Sequence, residues 1–266
     1  MGVLDGQVAL VTGASKGIGS ELARGLAAEG ASVAVNYKHD AAGAQQTCAS
    51  IADAGGRAIP LSGDVSSGPG ACALVNETVE QLGRIDVLVN NAARTRFGPA
   101  LDVTDKDFDD VVNTNMRGTF FASTEAARHM LEQGSGSIIN ISTCAVRLQI
   151  EWHSVYTMSK GGIEALTAQL AYELAPTVRV NAIAPGPTKT ARSLEYDPNQ
   201  DETWGKIIPL GRMCLPSDYV GPLIFLASDQ SAFLSGEVLH VDGAWNLQGK
   251  TPPMGDLDLS GDFTRD

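Results

Sequence analysis

A chain of 266 residues, 43% of them hydrophobic and with a mean hydropathy near zero, can bury a substantial core as a soluble domain. Its formal charge of −12 argues against nucleic acid or an anionic membrane as a main partner, because both need basic patches. Cys48, Cys72, Cys144 and Cys214 are scattered without C-x-x-C or Cys/His spacing, so they read as reduced thiols of a cytoplasmic protein, and no metal site is expected.

Residues 7–12 (QVALVT) form a short apolar run of the kind that makes a strand buried on both faces. They lead directly into Gly13-Ala14-Ser15-Lys16-Gly17-Ile18-Gly19, and residues 20–29 follow with helical spacing. Strand, glycine-rich turn and helix make half of a dinucleotide-binding unit: glycines let the backbone approach a pyrophosphate, and the helix N-terminus offers unpaired N–H groups. The spacing Gly-x-x-x-Gly-x-Gly is not the G-x-G-x-x-G fingerprint, and taken alone the turn is equally a tight connection.

A second strand at 32–36 ends in Asn36-Tyr37-Lys38-His39, where an NAD site usually carries an acidic residue against the ribose 2′-hydroxyl. With no carboxylate in that place, and with Lys16 and Lys38 near it, NADP is favoured over NAD; as plain surface groups these residues would say nothing. Residues 41–54 read as a helix stopped by Gly55-Gly56, and 58–61 as a third strand with Asp64 and Val65 at its carboxyl end. A helix at 71–82 and a strand at 85–89 follow, the latter ending in Asn90-Asn91-Ala92-Ala93.

Residues 105–112 read as a helix running into Asn113-Thr114-Asn115, and an apolar helix continues through 120–130. A fifth strand at 137–142 precedes a helix opened by Tyr156 and carrying Lys160, and a sixth strand at 178–183 precedes Pro185-Gly186-Pro187-Thr188-Lys189-Thr190. The polar stretch 191–208 is expected to be a mobile lid over the substrate. A helix at 218–226 and a seventh strand at 237–241 complete one domain over 1–248, leaving an acidic tail at 249–266. The alternation implies right-handed crossovers and a doubly wound α/β Rossmann fold, a seven-stranded parallel sheet with helices on both faces. Ligands to such a sheet bind beyond the carboxyl ends of its strands, where the polar clusters lie.

Tyr156 and Lys160 are four residues apart and share a helix face. A nearby ammonium favours the phenolate and moves a tyrosine towards useful acid–base range. A single Tyr-x-x-x-Lys match is otherwise an ordinary surface pair.

TGASKGIG at 12–19, Asp64, NNA at 90–92, Asn115, Tyr156-x-x-x-Lys160 and PGPTKT at 185–190 occur in one order with matching spacings. Together they resemble the short-chain dehydrogenase/reductase family, including its 3-oxoacyl-reductase-like and polyhydroxynaphthalene-reductase-like members. The resemblance implies an oxidoreductase that moves a hydride between NADP(H) and a carbonyl or secondary alcohol. It makes Tyr156 the acid/base, Lys160 the group that lowers the tyrosine pKa and holds the nicotinamide ribose, and Asn115 the anchor of a proton-relay water. Asn115 reads equally as a helix-kink or capping residue, and the two roles are compatible. Asp64 and Val65 would contact adenine, Asn90, Asn91 and Ala92 would lie near the adenosine ribose, and Pro185, Gly186 and Thr188 would flank the carboxamide, with Thr190 near a phosphate.

The position thirteen before the tyrosine is usually serine and is Thr143 here; threonine keeps the hydroxyl that would bond the substrate oxygen. Ala93 and Ala244 stand where the family often has glycine. Arg94, Arg96, Arg147, Gln149, Trp152, His153, Arg192 and Trp204 occupy family substrate-pocket positions; the arginines suit an anionic substrate or simply pair with acidic neighbours. The family also implies a homotetramer or homodimer, and the small residues Gly161, Gly162, Ala165, Ala168 and Ala171 would allow close helix pairing. The second reading is a catalytically quiet NADP(H)-binding regulatory or scaffold protein on the same fold.

Overall fold

The structure is a computed structural model and describes residues 2–248; the expected tail at 249–266 lies outside the described residues. Seven strands form one parallel sheet: β1 (Val8–Val11), β2 (Ser32–Tyr37), β3 (Arg57–Ser62), β4 (Val87–Asn90), β5 (Gly136–Ile141), β6 (Val178–Pro185) and β7 (Val238–Val241). Their order is β3-β2-β1-β4-β5-β6-β7, so the direction of winding reverses between β1 and β4, which makes a crevice at their carboxyl ends.

The helices are α1 (Gly17–Ala28), α2 (Ala41–Asp53), α3 (Gly68–Leu82), α4 (Asp105–Val112), α5 (Gly118–Gln133), α6 (Ser154–Glu173), α7 (Ala191–Tyr196), α8 (Gln200–Gly205) and α9 (Val220–Ala227). Strand residues alternate between two cores, as a pleat requires. Ala9, Val11, Val87, Val89, Ile139 and Ile141 join Leu22, Leu26, Leu223 and Leu226 of α1 and α9 on one face. Leu10, Leu88 and Ile138 join Leu74, Met130 and Leu170 of α3, α5 and α6 on the other. Every residue of β1 and β4 is buried, which is why both read as continuous apolar runs.

Local differences from the sequence reading have identifiable causes. α3 begins at Gly68, three residues before the expected start, because the Ser67 side chain accepts from the Gly70 N–H and Pro69 occupies its first turn. α6 starts at Ser154, so Tyr156 lies inside its first turn. Between α4 and α5 the chain makes a π-helical turn at Asn113–Arg117, a widening that often accompanies functional sites. The stretch expected as a lid holds the short helices α7 and α8. Thr190 caps α7, Lys189 pairs with Asp201, and the Trp204 ring packs edge-on against Trp245 at 5.5 Å.

Candidate active site

The glycine-rich turn between β1 and α1 is held by polar side chains from two neighbouring strands. Gly13, at φ +62°, donates its N–H to Asn36 Oδ1 at 3.0 Å. Asn36 in turn donates to the Leu61 and Gly63 carbonyls at 3.3 and 3.1 Å, tying the turn to the ends of β2 and β3. On the other side Asn91 Nδ2 donates to the Thr12 and Gly13 carbonyls at 2.9 and 3.0 Å, while Thr12 Oγ1 accepts from the Asn91 and Ala92 N–H groups.

A Cβ on Gly19 would sit 2.5 Å from both Asn91 Nδ2 and Gly13 O, so this glycine is required for packing. Gly17, at φ +61°, has nothing nearer than 3.9 Å. At the helix start the Lys16 side chain makes no capping bond. An open, uncapped N-terminus beneath an unobstructed glycine fits the pyrophosphate of a dinucleotide.

At the ends of β2 and β3, Lys38 Nζ lies 2.7 Å from Asp64 Oδ2. Burial would raise the Asp64 carboxyl, but hydrogen bonds from Lys38 and the Ser66 N–H outweigh it and hold it at about 2. The end of β2 itself carries no carboxylate, as expected, but β3 brings Asp64 beside it as the partner of Lys38. Tyr37 is half-buried, and Lys16 and Ser15 line the approach to the turn as exposed and half-buried groups.

Asn90 faces away from the crevice. Its Nδ2 donates to Ser123 Oγ and Asn140 Oδ1, both at 2.9 Å, and Asn140 donates to Thr167 Oγ1 at 2.9 Å. Its side chain thus braces β4 and β5 against α5 and α6, leaving only its backbone near the expected ribose. Val65 is buried below Asp64, with its carbonyl where a Cβ on Gly118 would come within 2.5 Å.

The reactive groups converge at the carboxyl end of β5. Lys160 is 1% exposed and donates to the Ile141 carbonyl at 2.5 Å; burial pulls its pKa down to about 8. The same ammonium lies 5.8 Å from the centre of the Tyr156 ring. Asn115, fully buried, accepts from the Arg94 N–H at 2.7 Å and donates to the Arg94 carbonyl and to Ser159 Oγ at 3.0 and 2.9 Å. Ser159 Oγ donates to the Tyr156 carbonyl at 2.7 Å. The π-helical turn thus presents Asn115 as a tie between the chain beyond β4 and α6.

Thr143 and Tyr156 line one cavity of about 290 Å³, with Ile18, Phe97, Ile150 and His153 around it. Thr143 Oγ1 accepts a 3.3 Å bond from the Ala145 N–H. Ser142, next to it, points elsewhere and donates to Glu164 Oε1 at 2.7 Å, so of these two hydroxyls it is Thr143 that lines the cavity. His153 presents its ring edge to Phe97 at 4.9 Å, and its Nδ1–H donates to the Glu151 carbonyl at 2.7 Å, which leaves Nε2 an acceptor in the neutral ring. Trp152, just before it, is 61% exposed at φ +66°, a left-handed backbone that is strained for any residue but glycine.

The far wall comes from the end of β6. Thr188, Thr190 and Ser193 face the cavity. Gly186 donates to the Val241 carbonyl at 3.0 Å, and a Cβ there would meet Asp242 Cα at 2.7 Å, so Pro185-Gly186 can pass this close to β7 only without a side chain.

The arginines divide. Arg94 pairs with Asp110 and Arg96 with Asp107, each at 3.5 Å, while Arg147 and Gln149 are exposed; none lines the cavity. The side chain of Arg192 is outside those described. A larger hollow of about 440 Å³ between α5 and α6 is lined by apolar side chains and Arg117; it holds none of the reactive groups, so the smaller cavity is the candidate site. Among the described residues no cluster could hold a metal ion, and no helix is long and apolar enough to cross a membrane. Asn36, Ser159 and Tyr219 escaped the sequence reading because their partners lie 23 to 44 residues away.

A family model described as enoyl-(acyl carrier protein) reductase matches residues 13–246. The chain is 40% identical over 248 residues to 2-dehydro-3-deoxy-D-gluconate 5-dehydrogenase of Escherichia coli, covering 91% of this chain and 96% of that protein. It is 39% identical over 253 residues to versicolorin reductase 1 of Aspergillus parasiticus, covering 90% and 96%. A chain from Beutenbergia cavernae, solved with NADP bound at low occupancy, superposes with a TM-score of 0.85 at 36% identity, covering 92% of this chain and 98% of that one. With its seven-stranded doubly wound sheet and a match along nearly all the described residues, this chain belongs to the short-chain dehydrogenase/reductase family of oxidoreductases.

Proposed function

We propose that the protein interconverts a carbonyl and a secondary alcohol with NADP(H), using Tyr156 as acid and base. The observation that carries this reading is the wholly buried Lys160, its ammonium held by the Ile141 carbonyl and set 5.8 Å from the Tyr156 ring centre. NADP(H), when bound, supplies or accepts the hydride. Tyr156 gives its proton to the carbonyl oxygen in reduction and takes it back in oxidation. The Thr143 hydroxyl donates to the same oxygen and orients it, a contribution of about 10²–10³ in rate by analogy with oxyanion donors. Lys160 favours the phenolate and has further N–H groups for ribose hydroxyls. Asn115 acts through Ser159 to set the first turn of α6.

NADP is favoured by the absence of a carboxylate on β2 and by Lys16 and Lys38, with the NADP-bound relative as support; Asp64 moderates that preference. Because Arg94 and Arg96 are spent on α4 carboxylates, the substrate is an uncharged ketone whose apolar body lies against Phe97 and Ile150. Residues 191–208 act as a lid, and assembly into a homodimer or homotetramer uses the outer face of α6, where Ala165 and Ala168 are exposed.

The test is purified protein with NADPH or NADH and a ketone panel, wild type beside Tyr156→Phe. Turnover should fall about 10²–10⁴-fold in the variant while NADPH affinity stays within about twofold. Tight NADPH binding with no turnover of any ketone by wild type would establish the quiet binding protein instead.

A further inference from the structure

Among the described residues two side chains keep buried polar atoms without a hydrogen-bond partner, His240 and Gln200. In His240 this is Nε2 alone, and its Nδ1 bonds the Val238 carbonyl at 3.1 Å. In Gln200, which is 1% exposed, both Oε1 and Nε2 lack partners. A buried amide unpaired on both edges works against folding. A leucine or methionine would fill the same space without that cost.

Gln200 opens α8, and its neighbours fix where that helix start lies. Asp201, the next residue, pairs with Lys189, which stands between Thr188 and Thr190 on the far wall of the cavity. Trp204 is one turn further on and shares a helix face with Gln200. It packs against Trp245 and a cluster that includes Cys144, Leu148 and Ile150. Cys144 follows Thr143 in the chain, and Ile150 lines the same cavity. The start of α8 thus spans from the end of β6 to the segment after β5, and the unpaired amide lies on the face it turns inward.

We infer that Gln200 is a specificity residue that bonds neighbouring hydroxyl groups of the substrate beneath the lid, so that polyhydroxylated ketones are preferred; the inference rests on the reductase reading above. An amide sets one acceptor beside one donor. Two adjacent hydroxyls match it, one donating to Oε1 and the other accepting from Nε2–H. A carboxylate or phosphate would meet Oε1 with like charge, Asp201 and Glu202 follow Gln200 directly, and the Lys189 ammonium is already paired. An apolar substrate would leave the amide unpaired. The hydroxyls belong to the end of the substrate remote from the carbonyl, while its apolar body rests on Phe97 and Ile150. The flexible glutamine side chain turns its amide towards the cavity as the substrate enters.

Steady-state kinetics with NADPH, or with NADH if the protein takes NAD, tests this on two sets of ketones of different reach. One set is cyclohexanone with its 3-hydroxy, 4-hydroxy and 3,4-dihydroxy derivatives. The other is 4-phenyl-2-butanone with its 4-hydroxyphenyl and 3,4-dihydroxyphenyl analogues. In at least one set wild type should favour the dihydroxy ketone over its parent by about ten- to a hundredfold in kcat/KM, the worth of two net hydrogen bonds. Gln200→Leu should erase most of that ratio through KM, keep turnover of the parent ketone and NADPH affinity within about twofold, and leave the thermal midpoint equal or higher. Gln200→Met should behave alike, which separates the lost amide from any misfit of leucine. No hydroxyl preference in wild type, an undiminished preference in both variants, or weakened NADPH binding would each overturn the inference. So would a lowered thermal midpoint with parent and hydroxylated ketones affected equally, which would make Gln200 a structural amide. Wild type that reduces no ketone of either set would instead overturn the reductase reading itself.

Discussion

Lys160 offers a direct test of how burial tunes the site. Folding takes its ammonium from water to 1% exposure and lowers its pKa from 10.5 to about 8. A lysine with a depressed folded pKa costs stability wherever it is charged in both states, which is below pH 8. Between pH 8 and 10.5 the folded form has released the proton and the unfolded chain still binds it, so stability rises with pH by linkage. A separation of about 2.5 pH units corresponds to about 3 kcal/mol across that window, at 1.36 kcal/mol per unit. Lys160→Met has a similar shape and no titration. Urea unfolding of both proteins at pH 7, 8, 9 and 10, each in a Tyr156→Phe background, isolates the residue, since it removes the one phenol whose titration Lys160 itself would shift. The stability with Lys160 in place, relative to Lys160→Met, should climb from pH 8 upwards and be higher by about 2 kcal/mol at pH 10 than at pH 7, most but not all of the full window. A flat difference from pH 7 to 10 would show that the Ile141 carbonyl compensates the burial completely, and the argument for a perturbed ammonium would fail.

Thr143→Ala should lower ketone turnover by about 10²-fold or more, whereas Ser142→Ala should spare turnover and cost about 1 kcal/mol of stability through the lost Glu164 bond; the reverse pattern in steady-state kinetics and thermal unfolding would reassign the catalytic hydroxyl. Asp64→Asn frees Lys38 from an exposed pair and should improve the NADPH-to-NADH affinity ratio by up to about fivefold, the scale of a surface ion pair; an unchanged ratio in fluorescence titrations would remove Lys38 from the cofactor site. Gly19→Ala places a methyl 2.5 Å from Asn91 Nδ2 and Gly13 O, and should cost about 1–3 kcal/mol of stability together with dinucleotide binding. A variant as stable as wild type would mean that the turn yields. Arg94→Ala should change KM for neutral and anionic ketones alike, and a selective loss for anionic ones would return Arg94 to the substrate pocket.

Much of this molecule is determined locally. The runs at β1 and β4 are apolar because both faces of those strands are covered, so the sequence alone announces a parallel sheet, and the glycine turn follows β1 directly. The resemblance to the family picks Thr143 over Ser142 by its spacing to Tyr156, and in the fold Thr143 lines the cavity while Ser142 turns to Glu164. What depends on partners distant in the chain could not be read that way. Lys38 looks like a spare positive charge until β3 brings Asp64 within 2.7 Å, and Arg94 and Arg96 look like anion receptors until α4 brings Asp110 and Asp107 to them. Asn90 and Asn91 are neighbours of one type, yet one braces the core and the other the glycine turn. Tyr219 lies in a stretch that reads only as a helix, and its hydroxyl meets Thr188 only because the fold brings the start of α9 to the end of β6. Periodicity and turn chemistry are written along the chain, whereas the assignment of each charge and proton depends on which residues the fold makes neighbours.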